Sequence, residues 1–141
     1  MKSIQEIYSS KSGKITDKWE SYLPFYDELF KHLKNTKISM LEIGIQYGGS
    51  LEVWAEYFTS AERFIGCDID QKCNNLKYKD ERIKLVIGNV NKESTYKQIT
   101  EIKKSFDIII DDGSHFSSDI INSFLVYFPH IKPGGIYIVE D

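Results

Sequence analysis

Apolar positions recur along this chain in two rhythms. Five short runs are close to continuously apolar: ISMLEI from 38, RFIGCDI from 63, IKLVIG from 83, FDIII from 106 and IYIV from 136. Unbroken runs of that kind suit strands covered on both faces, as in a parallel sheet; half-exposed strands alternate instead. The gaps between them hold 13 to 25 residues, enough for the crossovers that parallel neighbours require. Inside the gaps the rhythm turns helical. Leu51, Trp54, Ala55 and Phe58 fall at i, i+3, i+4 and i+7, while Ile120, Ile121, Phe124, Leu125 and Phe128 form a second stripe with Ser117 as its N-cap. Pro133-Gly134-Gly135 is read as the stop that ends this helix and turns the chain. Strands alternating with helices predict a doubly wound α/β fold, a Rossmann-like parallel sheet of five strands with flanking helices.

Ahead of Ile38 the pattern is helical throughout. Pro24 suits a first helical turn, and Leu23, Tyr26, Phe30 and Leu33 make an apolar face whose natural use is core packing. The expected organisation is a helical lead-in over 1–36 and a core over 37–141, one domain overall. Composition narrows the function classes. At 141 residues, 41% hydrophobic and 13% aromatic, the chain has the size and content of one globular domain rather than a disordered segment. A net charge of −3 with scattered lysines supplies no field for gathering nucleic acid or anionic lipid. Cys67 and Cys73 are too few for a disulfide framework and are not spaced like a zinc knuckle, so they are expected to stay reduced. The start, MKSIQEIYSSKSG, lacks the apolar centre of a signal peptide, and no run approaches the roughly 18 apolar residues of a membrane span. A cytoplasmic protein is the expectation.

The chemistry collects at strand ends, where open parallel sheets bind their ligands. The first strand finishes at Glu42 before Gly44, the second at Asp68 and Asp70, the fourth at Asp111 and Asp112, and the fifth at Glu140 and Asp141. Strand packing does not call for acids there. Acids on neighbouring turns repel unless something positive sits between them. Capping without metal is the alternative for each acid, and Asp70 is read as a cap. The turn LEIGIQYGGS (41–50) is glycine-rich and leads into a helix, so its amides can approach a ligand closely. It is not the dinucleotide fingerprint, because Gln46 stands where the second glycine would press against a pyrophosphate. Gly48, Gly49 and Ser50 place the freedom later in the turn. Asp68, 24 residues after Gly44, lies where a carboxylate accepts ribose hydroxyls.

Together, LEIG…GGS, GCDID, FDIIIDDGSH and PGGIYIVED resemble the class I S-adenosylmethionine-dependent methyltransferases. More narrowly, they resemble the branch of macrocin, mycinamicin and rhamnosyl sugar O-methyltransferases and cephalosporin-hydroxylase-like proteins. TDKWESYLPFYDELF (16–30) is similar to that branch's lead-in. The resemblance implies that the methionine moiety of S-adenosylmethionine lies over Glu42, Gly44 and the following turn with Gly48 and Ser50. It implies that Asp68 holds the ribose and Asn89 lies near the adenine, although many relatives carry aspartate at the latter position. It further implies that Asp112, Glu140 and Asp141 bind magnesium and that His115 is the general base. Asp111 belongs to the same rim, capping the turn or steering a neighbouring ligand. The chemistry is coherent. A sugar hydroxyl is a poor nucleophile at neutral pH. A hard dication held by carboxylates acidifies and orients it, and an imidazole takes its proton at working pH.

Other readings stay open. His115 can be an ordinary turn histidine, and His32 and His130 are read as surface or boundary residues. Asp17, Lys18 and Trp19 either touch substrate or cofactor or form a solvated helix start. The resemblance also implies a further helix and two further strands after Asp141. Without them the fifth strand keeps an open apolar edge, so either the chain is a fragment or another copy pairs with that edge as a homo-oligomer. The expected function is magnesium-assisted methylation of a sugar hydroxyl on a glycosylated small molecule or polysaccharide precursor. The alternatives are a non-catalytic cofactor-binding or assembly module and a nucleotide-linked oxidoreductase, the latter disfavoured by Gln46.

Overall fold

The apolar runs become the five strands of one sheet: β1 (Ser39–Ile43), β2 (Arg63–Asp68), β3 (Ile83–Ile87), β4 (Phe106–Asp111) and β5 (Ile131–Val139). The structure, a computed structural model, describes residues 2–16, 18 and 20–140. All pairings are parallel, in the order β3-β2-β1-β4-β5. Central β1 is buried at every position, whereas edge strands β3 and β5 are only partly covered. Continuous apolar runs therefore mark the centre of the sheet, as burial on both faces requires.

Helices cover both faces. On one, α1 (Ile4–Ser10), α2 (Leu23–Phe30) and α3 (Gly49–Tyr57) bring Ile4, Ile7, Tyr26, Phe30, Trp54 and Phe58 into one buried cluster with Met40, Ile108 and Ile110. Tyr26, Phe30 and Trp54 meet at ring-centroid distances of 5.3–5.8 Å, mostly edge-on. The lead-in thus shares its core with the sheet. On the other face α4 (Glu93–Ile102) and α5 (Ser117–Tyr127) contribute Ile99 and Tyr127 to a cluster with Leu41, Ile43, Ile65 and Ile109. Among the described residues, no helix is long and apolar enough to cross a membrane.

Four local expectations are corrected. The β2–β3 crossover carries only a 3-10 turn, Gln71–Asn75, capped as expected by the Asp70 side chain, which accepts from the Lys72 amide at 2.9 Å. Ser117 is not the cap of α5. Phe116 holds that position, and the Ser114 hydroxyl instead accepts from the Phe116 amide at 3.3 Å and donates to the Asp119 carboxylate at 2.6 Å. The apolar stripe of α5 faces outward: Ile121, Phe124, Leu125 and Phe128 are exposed, while Ser123 and Tyr127 are buried. Hydrogen bonds set that rotation, Ser123 donating to Asn91 Oδ1 at 3.2 Å and Tyr127 to the Val90 carbonyl at 2.8 Å. Finally, Pro133-Gly134-Gly135 does not stop the helix. It ends at Tyr127, a 3-10 turn over Phe128–His130 follows, and the proline and glycines bulge out of β5, since Phe106 pairs with Ile131 but Ile108 with Ile136.

Candidate cofactor and metal site

β1 and β4 lie side by side at the centre of the sheet with their crossovers leaving in opposite directions, the place where such sheets open a ligand crevice. A cleft of about 650 Å³ sits there, at the carboxyl ends of the strands. Of the described candidate residues, Gly44, Ser50, Asp68, Asn89, Asp111, Asp112, His115 and Glu140 line it. Glu42 and Gly48 do not; Glu42 is wholly buried beneath the floor.

Glycines in the turn after β1 serve close approach of protein to protein. Gly44 has φ +83°, and a Cβ there would stand 2.1 Å from the Asp112 carbonyl oxygen, so this glycine lets the turns after β1 and β4 touch. A Cβ on Gly49 would stand 2.3 Å from the Ile15 carbonyl, which accepts the Gly49 amide at 2.9 Å. Residues 11–16 therefore strap across the turn. Glu52 of α3 anchors the strap, accepting the Lys14 amide at 2.9 Å and pairing with the Lys11 ammonium at 2.5 Å. Burial works to raise the Glu52 pKa, but these bonds outweigh it and hold the carboxyl below the usual range.

Asp68 pins the same turn from the side. One oxygen accepts the Ile45 and Gln46 amides, both at 2.9 Å, and the other the Asp70 amide at 2.9 Å. A carboxylate offers about four acceptor positions, so capacity for a ligand hydroxyl remains. Asn89 uses its side-chain oxygen on the Asn91 amide at 2.9 Å, which leaves its NH₂ as a donor at the cleft wall.

Beneath the other half of the cleft, three strand ends deliver acids to one point, and that point is an ammonium. Lys18 Nζ lies 3.0 Å from Glu42 Oε2, 3.4 Å from Asp112 Oδ2 and 2.5 Å from Glu140 Oε2. Its side chain is only 5% exposed, over the rings of Trp54 and Tyr26 at 5.8 and 5.9 Å. The contact with Glu42 is an ion pair without hydrogen-bond geometry. Glu42 Oε2 has no hydrogen bond among the described residues, and Oε1 accepts the Ser50 hydroxyl at 2.5 Å. Burial works to lower the Lys18 pKa, but Glu42, Glu140 and Asp112 outweigh it and hold the ammonium well above the ordinary lysine range. Burial, reinforced by Glu140 and Glu42 against the pull of Lys18, pushes the Asp112 carboxyl up to about 7.

His115 stands at the mouth with its side chain half exposed, Nε2 lying 3.7 Å from Asp112 Oδ1. Its φ of +65° is a left-handed conformation that a side chain adopts under constraint from its surroundings. Asp111 accepts the Gly113 amide at 3.1 Å through Oδ1, and Oδ2 is buried with no hydrogen bond among the described residues. Burial raises its carboxyl above the usual value. Among the described residues, no three His, Cys, Asp or Glu side chains meet as a metal-ligand set. Asp112 and Glu140 converge, while Asp141, the third expected ligand, lies outside the described residues, as do Asp17 and Trp19. His32 is exposed, and His130 is bridged between the Tyr96 hydroxyl at 2.8 Å and the Lys104 carbonyl at 2.7 Å, away from the cleft. Sequence reasoning left Lys18 open and passed over Glu52. The signal for the lysine was present: acids converging on one rim need a positive partner.

Residues 41–141 match the family described as a methyltransferase domain. This chain belongs to that family. It is 36% identical over 137 residues to demethylmacrocin O-methyltransferase of Streptomyces fradiae, covering 90% of this chain and 34% of that enzyme. It is likewise 36% identical over 128 residues to mycinamicin VI 2''-O-methyltransferase of Micromonospora griseorubida, covering 85% of this chain and 31% of that enzyme. Among solved structures it is similar to MycE methyltransferase from the mycinamycin biosynthetic pathway in complex with Mg, SAH and mycinamycin VI. That match has a TM-score of 0.77 at 33% identity, covering 89% of this chain and 35% of the other. The chain spans about a third of the length of the relatives it matches.

Proposed function

We propose that this methyltransferase domain binds S-adenosylmethionine in the cleft and serves a magnesium-assisted O-methyl transfer to a sugar hydroxyl of a glycosylated acceptor. The observation that carries the reading is the convergence of Asp112 and Glu140 on one cation, at the same cleft as the glycine turn and Asp68. The residues present suit a hard dication: the donors are carboxylate oxygens, and three carboxylates, once all are ionised, leave two formal negative charges against one ammonium. Asp112 and Glu140, with Asp141, would hold it.

When bound, S-adenosylmethionine supplies an electrophilic methyl and the dication acidifies and orients the acceptor hydroxyl. The chain's own groups do the rest. Asp68 and the turn after β1 hold the nucleoside and methionine ends, with Asn89 as donor to the adenine. His115, half exposed at the mouth, accepts the hydroxyl proton at Nε2 as the oxygen takes the methyl. Asp112 Oδ1, 3.7 Å from that nitrogen, lies beside the atom that receives the proton. Rigid strand ends supply the alignment that an in-line displacement needs. The relatives named for such O-methyl transfers are about three times this length.

Calorimetry tests the reading. S-adenosylhomocysteine is expected to bind at one site and NADP not at all, and Asp68→Ala to weaken the former at least tenfold. NADP binding without S-adenosylhomocysteine binding would overturn it.

A further inference from the structure

Lys18 is the one cation in contact with all three rim carboxylates among the described residues, and its three contacts are unequal in kind. Glu42 is fully buried, lies outside the cleft lining and has no hydrogen bond to Oε2, so Lys18 is its counter-ion and solvent cannot substitute. Asp112 and Glu140 both line the cleft, Asp112 with 28% side-chain exposure and Glu140 with 4%, so a second cation entering from the open side meets Asp112 first and reaches Glu140 at the cleft wall. The ammonium also rests over Tyr26 and Trp54, which hold it at the Glu42 side. Once all three acids are ionised, two formal negative charges remain after Lys18 is counted.

We infer that Lys18 is the resident counter-ion of this rim: it keeps Asp112 and Glu140 gathered, and yields them to an incoming dication while remaining paired with Glu42. This rests on the metal reading above. Lys18 is a positioning residue; it sets the metal affinity by opposing the dication with its own charge, and it ties that affinity to the lead-in segment between α1 and α2.

The test is titration with Mn²⁺, followed by electron paramagnetic resonance and calorimetry. Lys18→Met is expected to bind Mn²⁺ at least tenfold more tightly than the wild type, with Lys18→Arg close to wild type. The sign decides, because a merely structural lysine would weaken metal binding on removal. Equal or weaker binding by a folded Lys18→Met overturns the inference. Since that variant leaves acids uncompensated and can fail to fold, the wild type supplies a second measurement. The ¹⁵N-labelled ε-ammonium signal of Lys18 should shift on saturation with Mg²⁺, and an unmoved signal overturns the inference. Loss of Mn²⁺ binding in Asp112→Ala with no Lys18 effect leaves the metal reading standing and rejects this inference alone. No Mn²⁺ binding by the wild type rejects both.

Discussion

Asp112 titrates inside the range in which the protein can be handled, and its sign is fixed by its surroundings. With the folded carboxyl near 7 and an unfolded aspartate near about 4, the folded state holds a proton that the unfolded state lacks between those values. Stability from this group is therefore greatest at low pH and falls as pH rises toward 7. Lys18, held above the lysine range, contributes a constant amount up to about pH 10, where an unfolded lysine begins to lose its proton, and progressively less above that. In metal-free buffer the midpoint of thermal unfolding should fall between about pH 4 and 7, and Asp112→Asn should flatten that dependence; a profile equally steep in the variant would contradict the assignment. Gly44→Ala tests the neighbouring contact. A left-handed residue with a Cβ 2.1 Å from a carbonyl should lose about 2–6 kcal/mol in denaturant unfolding. Chemical identity at these positions was legible in the sequence. Partnership was not. Gly44, read as an opening for ligand, lines the cleft and is also where two turns touch, and Asp68 spends most of its acceptor capacity on three backbone amides.

Among elements, the strap of residues 11–16 and helix α5 separate what pattern reveals from what it conceals. Glu52 joins the strap to α3 through partly exposed contacts, each worth at most about 1 kcal/mol. Glu52→Gln should therefore loosen the strap without unfolding the chain, weakening S-adenosylhomocysteine about fivefold, chiefly through faster release in stopped flow. An unchanged release rate would show that the strap does not cover the ligand. Helix α5 was recognised by its stripe, but the stripe points outward. Tyr127→Ala should cost about 3–5 kcal/mol as a buried aromatic truncation, whereas Leu125→Lys should change stability by less than about 0.5 kcal/mol. Periodicity marks a helix and its apolar face. It cannot say which side the sheet covers, because side-chain hydrogen bonds to Val90 and Asn91 fix the rotation.

For the whole molecule, α5 packs against edge strand β5 where Phe124 and Phe128 meet Tyr137, and Ile121, Leu125 and Val139 on these elements, with Phe116 at the N-cap of α5, are exposed apolar residues. Contiguous apolar surface beside a strand edge is a pairing surface. Concentration-dependent self-association is expected by light scattering and should be suppressed by Ile121→Lys with Leu125→Lys; a monomer at every concentration would contradict it. The sheet, its central strands and the site at the carboxyl ends followed from the apolar runs, because burial on both faces leaves so plain a mark. The bulge at Pro133–Gly135 did not, since it depends on pairing register rather than on composition, and neither did the β2–β3 crossover, where a 3-10 turn stands in place of an α-helix.

The central claim is that carboxylates from neighbouring strand ends share one cation site beside a cofactor cleft. Crystals grown with S-adenosylhomocysteine and Mn²⁺ test it most directly by anomalous diffraction. One manganese peak is expected at coordination distance from both Asp112 and Glu140, with the nucleoside against Asp68. Nucleoside bound there while manganese sits elsewhere, or nowhere, would contradict it.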